Sequence, residues 1–155
     1  MRMKEQFIHI TEGGSKFYYS DREMTILHRE DGPALEYPNG DKEWRLNGKY
    51  HREDGPAIEY ADGSKEWRLN GKYHREDGPA IEDPNGYKAW YLNGKLHRED
   101  GPAIEWAEGD KDWYLNGEKL TEEEFNTRMN PVELTLDEIA EKFGVSVDRL
   151  KIKKG

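Results

Sequence analysis

HREDGPAIEYADGSKEWRLNGKY, residues 51–73, decides the fold, because the chain writes it four times, with variations, at a spacing of 23 residues. The copies begin at His28, His51, His74 and His97 and run unbroken to residue 119. A unit this short cannot bury a core alone, so it must stack on its neighbours. Ile58 and Tyr60 lie two apart, as do Trp67 and Leu69, while Glu59, Glu66 and Arg68 are polar. That period of two predicts strands with one apolar face, carrying Ile58, Tyr60, Trp67 and Leu69. Ala61-Asp62-Gly63-Ser64 separates the two runs. The other copies place Pro-Asn-Gly or Ala-Glu-Gly there, so glycine holds the position expected to need positive φ. Asn70-Gly71 predicts a two-residue hairpin. Lys72-Tyr73-His74 reads as a third short extended piece, and Pro79 ends pairing before the next unit.

Residues 1–27 contain a worn copy: Gly14-Ser15-Lys16-Phe17-Tyr18-Tyr19 parallels Gly63-Ser64-Lys65-Glu66-Trp67-Arg68. An atypical first unit is expected to cap the array and stop its edge from recruiting another sheet. After residue 119 the pattern breaks into a helical module, residues 120–155. Thr121 with Glu124, and Thr135 with Glu138, predict two capping boxes. Asn130-Pro131 ends the first helix, and Gly144 stops the second, whose Leu136, Ile139, Ala140 and Phe143 are expected to face inward. Ser146 is placed to cap a third short helix.

The composition is 34% hydrophobic and 37% charged, which predicts a thin core rather than a thick one. Five Trp, nine Tyr and four Phe argue for order, since disordered segments lack aromatics. The absence of cysteine excludes disulfides and thiolate zinc sites. With no signal-peptide pattern in MRMKEQFIHI and no long apolar run, the expectation is a cytoplasmic protein without a membrane partner. The net charge of −9 is uneven: the first three copies carry −1 each, and the fourth, with three basic and seven acidic residues, carries −4. Nucleic acid binding through the repeats would want a basic stripe, so a basic protein surface is the better match.

The 23-residue spacing, the YPNG-type turn, the aromatic strand and the second Asn-Gly turn resemble the MORN repeat over residues 28–119. HREDGPA stands where MORN units carry a G-x-G pattern, as in a variant found in bacteriophage proteins. The resemblance implies an elongated single-layer meander of four β-hairpin repeats with a scaffold or binding role, and no activity. A mainly β fold with a small α-helical C-terminal module is the resulting expectation. Its uncovered apolar face predicts closure by curling, by docking of the tail, or by a homodimer.

The tail LTLDEIAEKFGVSVDRLKI resembles two families. Ala140, Gly144 and Leu150 fall where helix-turn-helix DNA readers place small, turn and core residues, with Arg149, Lys151, Lys153 and Lys154 as the basic surface. The run is also similar to the central helices of LysM, a glycan-binding domain, which would need strands near Val132–Leu134 and Leu150–Ile152. A docking module is the plainer reading, and DNA contact through the tail is the alternative.

The ladder His28, His51, His74, His97 with Asp31, Asp54, Asp77, Asp100 and Trp44, Trp67, Trp90, Trp113 reads as structural. Catalysis needs unlike groups in unequal roles, whereas a regular ladder supplies identical environments. Zinc needs three or four convergent ligands, so no metal, cofactor or enzyme activity is expected. The expectation is that each Asp caps its Gly-Pro turn and each Arg pairs with an acid of an adjacent rung. Partner binding is expected where the copies differ. The column Tyr37, Tyr60 becomes Asp83 and Trp106; Arg45 and Arg68 become Tyr91 and Tyr114; Asp41 and Ser64 become Tyr87 and Asp110. Tyr87, Tyr91, Tyr114, Glu105, Asp110 and Asp112 are therefore the candidate surface for a protein with a basic face. On this reading the chain is a non-enzymatic adaptor or inhibitor, of the kind a phage directs at a host protein or host-defence complex. A nucleic-acid regulator using the tail, or a nucleotide sponge at a dimer interface, are the other classes.

Overall fold

The computed structural model describes residues 6–131 and 134–149. The strand sites expected at Val132–Leu134 and Leu150–Ile152 fall wholly or mainly outside them, as do Leu150, Lys151, Lys153 and Lys154. One antiparallel sheet of 11 short strands follows chain order: Phe7–Ile10, Lys16–Tyr19, Leu35–Glu36, Lys42–Glu43, Ile58–Glu59, Lys65–Glu66, Ile81–Glu82, Lys88–Ala89, Ile104–Glu105, Lys111–Leu115 and Glu118–Leu120. Between sheet strands the chain folds out into separate hairpins: Arg45–Leu46 with Lys49–Tyr50, Arg68–Leu69 with Lys72–Tyr73, and Tyr91–Leu92 with Lys95–Leu96.

Two turn chemistries build this pattern. Asn70 and Gly71 have φ of 52° and 85°, the double positive pair of a type I′ turn, whose twist matches its flanking strands. The Gly71 N–H then donates to Tyr50 O of the preceding hairpin at 2.8 Å, and Gly94 and Gly117 repeat that bond to Tyr73 and Leu96. At the other turn, the Tyr60 N–H donates to Ser64 O at 3.0 Å and Gly63 adopts φ of 95°. Residues 61–63 thus form a three-residue loop closed by a left-handed glycine.

That odd-membered loop corrects the expected faces. It sets Ile58 opposite Glu66 and Glu59 opposite Lys65, so Ile58 shares its face with Glu66 rather than with Trp67. An even-membered loop would have produced the single apolar face read from the spacing. Instead the apolar strand residues share their face with acidic ones, and the paired residues of the other face are all charged. One carries Leu35, Glu43, Ile58, Glu66, Ile81, Ala89, Ile104 and Asp112 in continuous register. The other carries Glu36, Lys42, Glu59, Lys65, Glu82, Lys88, Glu105 and Lys111.

The core is correspondingly thin. Ala34, Ala57, Ala80, Ala89 and Ala103 are fully buried, with Leu35, Ile58 and Ile104 nearly so, and among the described residues no large side chain is completely enclosed. The four tryptophans of the ladder are half-buried.

Helix α1, Glu122–Met129, and helix α2, Leu136–Phe143, both start at the expected capping boxes. Helix α1 buries Phe125 and packs on the last two strands, with Arg128 making two 2.8 Å bonds to the Glu118 carboxylate. Helix α2 ends at Gly144 in the left-handed conformation. Its expected inward face is only partly covered: Ala140 is buried, but Leu136 is 45% and Phe143 71% exposed. Among the described residues no helix is long and apolar enough to cross a membrane.

Gly78 has no positive φ, yet an added Cβ would meet Arg75 Cζ at 2.8 Å. Gly78→Ala is therefore expected to destabilise the protein by about 1–3 kcal/mol through overpacking. The shift in urea midpoint measures it, and an unchanged midpoint would mean the arginine is free to move aside.

Candidate functional site

Each arginine of the HREDGP segments is held on four sides. Arg75 Nε donates to Asp77 at 2.9 Å, and its Nη1 donates to Pro79 O at 3.1 Å and to Glu82 at 2.8 Å. Its guanidinium carbon lies 4.0 Å from the ring centre of Trp67, in the preceding copy. Arg52 repeats the arrangement with Asp54, Pro56 O, Glu59 and Trp44. Arg98 repeats it with Asp100, Pro102 O, Glu105 and Trp90. Arg29 does so with Asp31, Pro33 O and Glu36, stacking on Tyr18 where later copies offer tryptophan. The expectation of pairing with an adjacent rung is thus corrected. The carboxylates come from the arginine's own copy, and only the aromatic ring comes from the neighbour. The aspartates serve as arginine acceptors. Arginine suits this site because its planar fork bonds and stacks simultaneously.

The sequence period brings Leu120 and Thr121 where a fifth His-Arg pair would stand. Leu120 is buried opposite Trp113, and Thr121 caps helix α1. The recurrence ends here by substitution of a helix start for the arginine.

The histidines tie hairpins together. The Asn47, Asn70, Asn93 and Asn116 N–H groups donate to Nδ1 of His28, His51, His74 and His97 at 3.0–3.2 Å. An accepting Nδ1 places the ring proton on Nε2, which lies 3.5–3.7 Å from Glu30, Glu53, Glu76 and Glu99. Each histidine thus serves the positive-φ asparagine of its own unit's Asn-Gly turn. Among the described residues no three His, Asp or Glu side chains gather in a way that would hold a metal ion.

The opposite face changes along the array. In the first copy Arg45 pairs with Glu43 at 2.9 Å and lies 3.8 Å from the Tyr50 ring centre. In the second, Arg68 pairs with Glu66 at 2.8 Å and lies 3.7 Å from that of Tyr73. The Tyr60 hydroxyl on this face is pushed up to about 12, by burial first and then by the Glu66 carboxylate. In the third copy Ala89 and Tyr91 replace the ion pair. Tyr91 stacks on Tyr73 with centroids 5.0 Å apart, and Tyr87 tilts against Trp106 at 5.2 Å. In the fourth, Asp112 accepts from Trp106 Nε1 at 3.1 Å and pairs with Lys119 at 2.6 Å.

The structure therefore gathers Tyr87, Tyr91, Asp112 and Tyr114 on one face, with Asp110 at its turn. Three details differ from expectation. Tyr87, Tyr91 and Tyr114 are half-buried rather than exposed, because they lean on neighbouring rings and strands. Glu105 does not belong with them: its register puts it on the other face, bonded to Arg98. Trp106, left out of the expected set, is the exposed ring, at 41%. Its signal was available in the sequence, as the only tryptophan outside the ladder column.

Fold and side-chain pattern define a mainly β, antiparallel chain in which one set of contacts recurs, closed by two short helices. Compared with known proteins, the chain matches no protein-family model and no curated protein.

Two outcomes test the ladder. Arg75→Lys keeps the charge but loses the fork and the stack, so it should cost about 1–3 kcal/mol, read from the urea midpoint. A variant as stable as the parent would show that charge alone suffices. The bonds from arginine, followed by its charge, also hold Asp31, Asp54, Asp77 and Asp100 below the usual carboxylate range. Their contribution is complete above the unfolded Asp value, about 3.9, and is lost as pH falls through the lower folded values. Solvent exposure keeps each increment small. Asp54→Asn with Asp77→Asn should flatten the acid limb of the stability profile, and an unaltered slope would discount the pairs.

Proposed function

We propose that this chain is a non-enzymatic protein-binding module of the MORN-like type, with four repeats presenting a partner surface on the third and fourth. The observation that carries this reading is the change along one face. Two copies satisfy that face with Glu-Arg-Tyr sets; the third puts Ala89 and Tyr91 in their place, with Tyr91 stacked on Tyr73, and Tyr87, Trp106 and Tyr114 continue the rings beside the Asp112–Lys119 pair of the fourth. A sheet that needed only to hold together had an ion pair available at each position. Large aromatic rings supply contact energy with few torsions to freeze, which is why they anchor interfaces.

The surroundings select the partner. The fourth copy carries −4, and among the described residues the Glu108 and Asp110 carboxylates enter no ion pair. A basic, partly apolar protein surface fits both the rings and the charge, and steering by the acidic end would speed encounter. The MORN-like spacing of residues 28–119 and the HREDGPA variant support a phage-encoded adaptor or inhibitor acting on a host protein complex. Repeat arrays act as extended binding surfaces, which agrees with the scaffold role.

The test is capture of a bacterial partner on the parent and on Tyr87→Ala with Trp106→Ala. A stoichiometric protein whose affinity falls tenfold or more, while circular dichroism is unchanged, is the expected result. Equal capture by both would place the interface elsewhere.

A further inference from the structure

The two edges of the sheet are defended very differently. The last strand, Glu118–Leu120, exposes Glu118 and Lys119 and is overlaid by helix α1 through the Arg128–Glu118 pair. Charged side chains and a covering helix are the ordinary means of keeping a sheet edge from recruiting another. The first strand, Phe7–Ile10, in the unit expected to cap the array, has neither among the described residues. Its sequence, FIHI, carries no lysine, acid or proline, and Ile8 and Ile10 are 51% and 61% exposed.

Register shows which backbone groups that edge offers. Thr11 N–H donates to Ser15 O at 3.0 Å, continuing the ladder of Phe7 with Tyr19 and His9 with Phe17. In an antiparallel pair the bonding residues alternate, so Phe7, His9 and Thr11 point their amides inward. The N–H and C=O groups of Ile8 and Ile10 point outward, and among the described residues no strand pairs with them.

We propose that this edge pairs with the same edge of a second copy, in antiparallel register centred on His9. Ile8 then exchanges both backbone bonds with Ile10 of the other copy, and Ile10 with Ile8, closing four hydrogen bonds about a two-fold axis. The four isoleucines meet on one face, and FIHI sets no Lys, Arg, Asp or Glu against its own copy. Head-to-tail pairing would have to use the far edge, which helix α1 and the charged Glu118 and Lys119 side chains close. Association therefore stops at two copies instead of growing into a fibre. This inference uses other residues than the aromatic surface and stands or falls independently of it.

The expected result is a dimeric mass by light scattering for the parent and a monomeric mass for Ile8→Lys with Ile10→Lys, at unchanged circular dichroism. The chain has no cysteine, so a covalent readout is clean. His9→Cys faces itself at about 4.5 Å between Cα atoms and should oxidise to a covalent dimer. Thr11→Cys would lie about 14 Å from its copy and should not. A monomeric parent overturns the proposal. So does a dimer that survives the double lysine variant, or one in which His9→Cys fails to cross-link.

Discussion

Everything regular in this chain hangs on an arginine folded down over a glycine. The guanidinium of Arg52, Arg75 or Arg98 occupies the space a Cβ would need, bonds two carboxylates and a proline carbonyl of its own copy, and lies against the tryptophan of the copy before. An ion pair on an open surface contributes little because water competes for both charges. Here the arginine is about one-fifth exposed, bonded by a rigid fork and stacked, so the same charges act with their geometry already fixed. The glycine, proline, aspartate and glutamate of HREDGPAxE are thereby explained together, as the parts of one socket.

Such a socket substitutes for a deep core. The enclosed residues are mostly alanines, and burying them returns little hydrophobic free energy per copy. Cohesion comes instead from contacts between neighbours: the arginine stack, the hydrogen bond between successive Asn-Gly hairpins, and short runs of strand pairing. This explains how a chain only 34% hydrophobic is built as an ordered sheet. It also makes an ion pair on the other face dispensable: the third copy carries Ala89 and Tyr91 where the first two carry Glu and Arg.

The sequence spoke clearly wherever a residue's chemistry acts on its own neighbourhood. Asn-Gly turns, left-handed glycines and both capping boxes depend on atoms a few residues apart, and all were legible. Face assignment was not, because it depends on whether the loop between Tyr60 and Ser64 holds an odd or even number of residues. One residue of parity moved Glu66 to the side of Ile58 and took Glu105 away from the aromatic surface. The direction of the arginine pairs was hidden for a related reason. A perfect period makes a contact within a copy and a contact between copies look alike in sequence. Leu136 and Phe143 show a third limit: a helical stripe marks an apolar face but does not name what covers it.

The arginine stack also has a direction in time. Trp44, Trp67 and Trp90 each precede, by eight residues, the arginine that closes over them. During synthesis from the N-terminus, every new copy therefore meets a finished template and needs nothing that has still to be made. Contacts of such short range cost little loop entropy, so successive copies can zip on as they emerge. At the last ring of the column, Trp113, the start of helix α1 stands where the next arginine would.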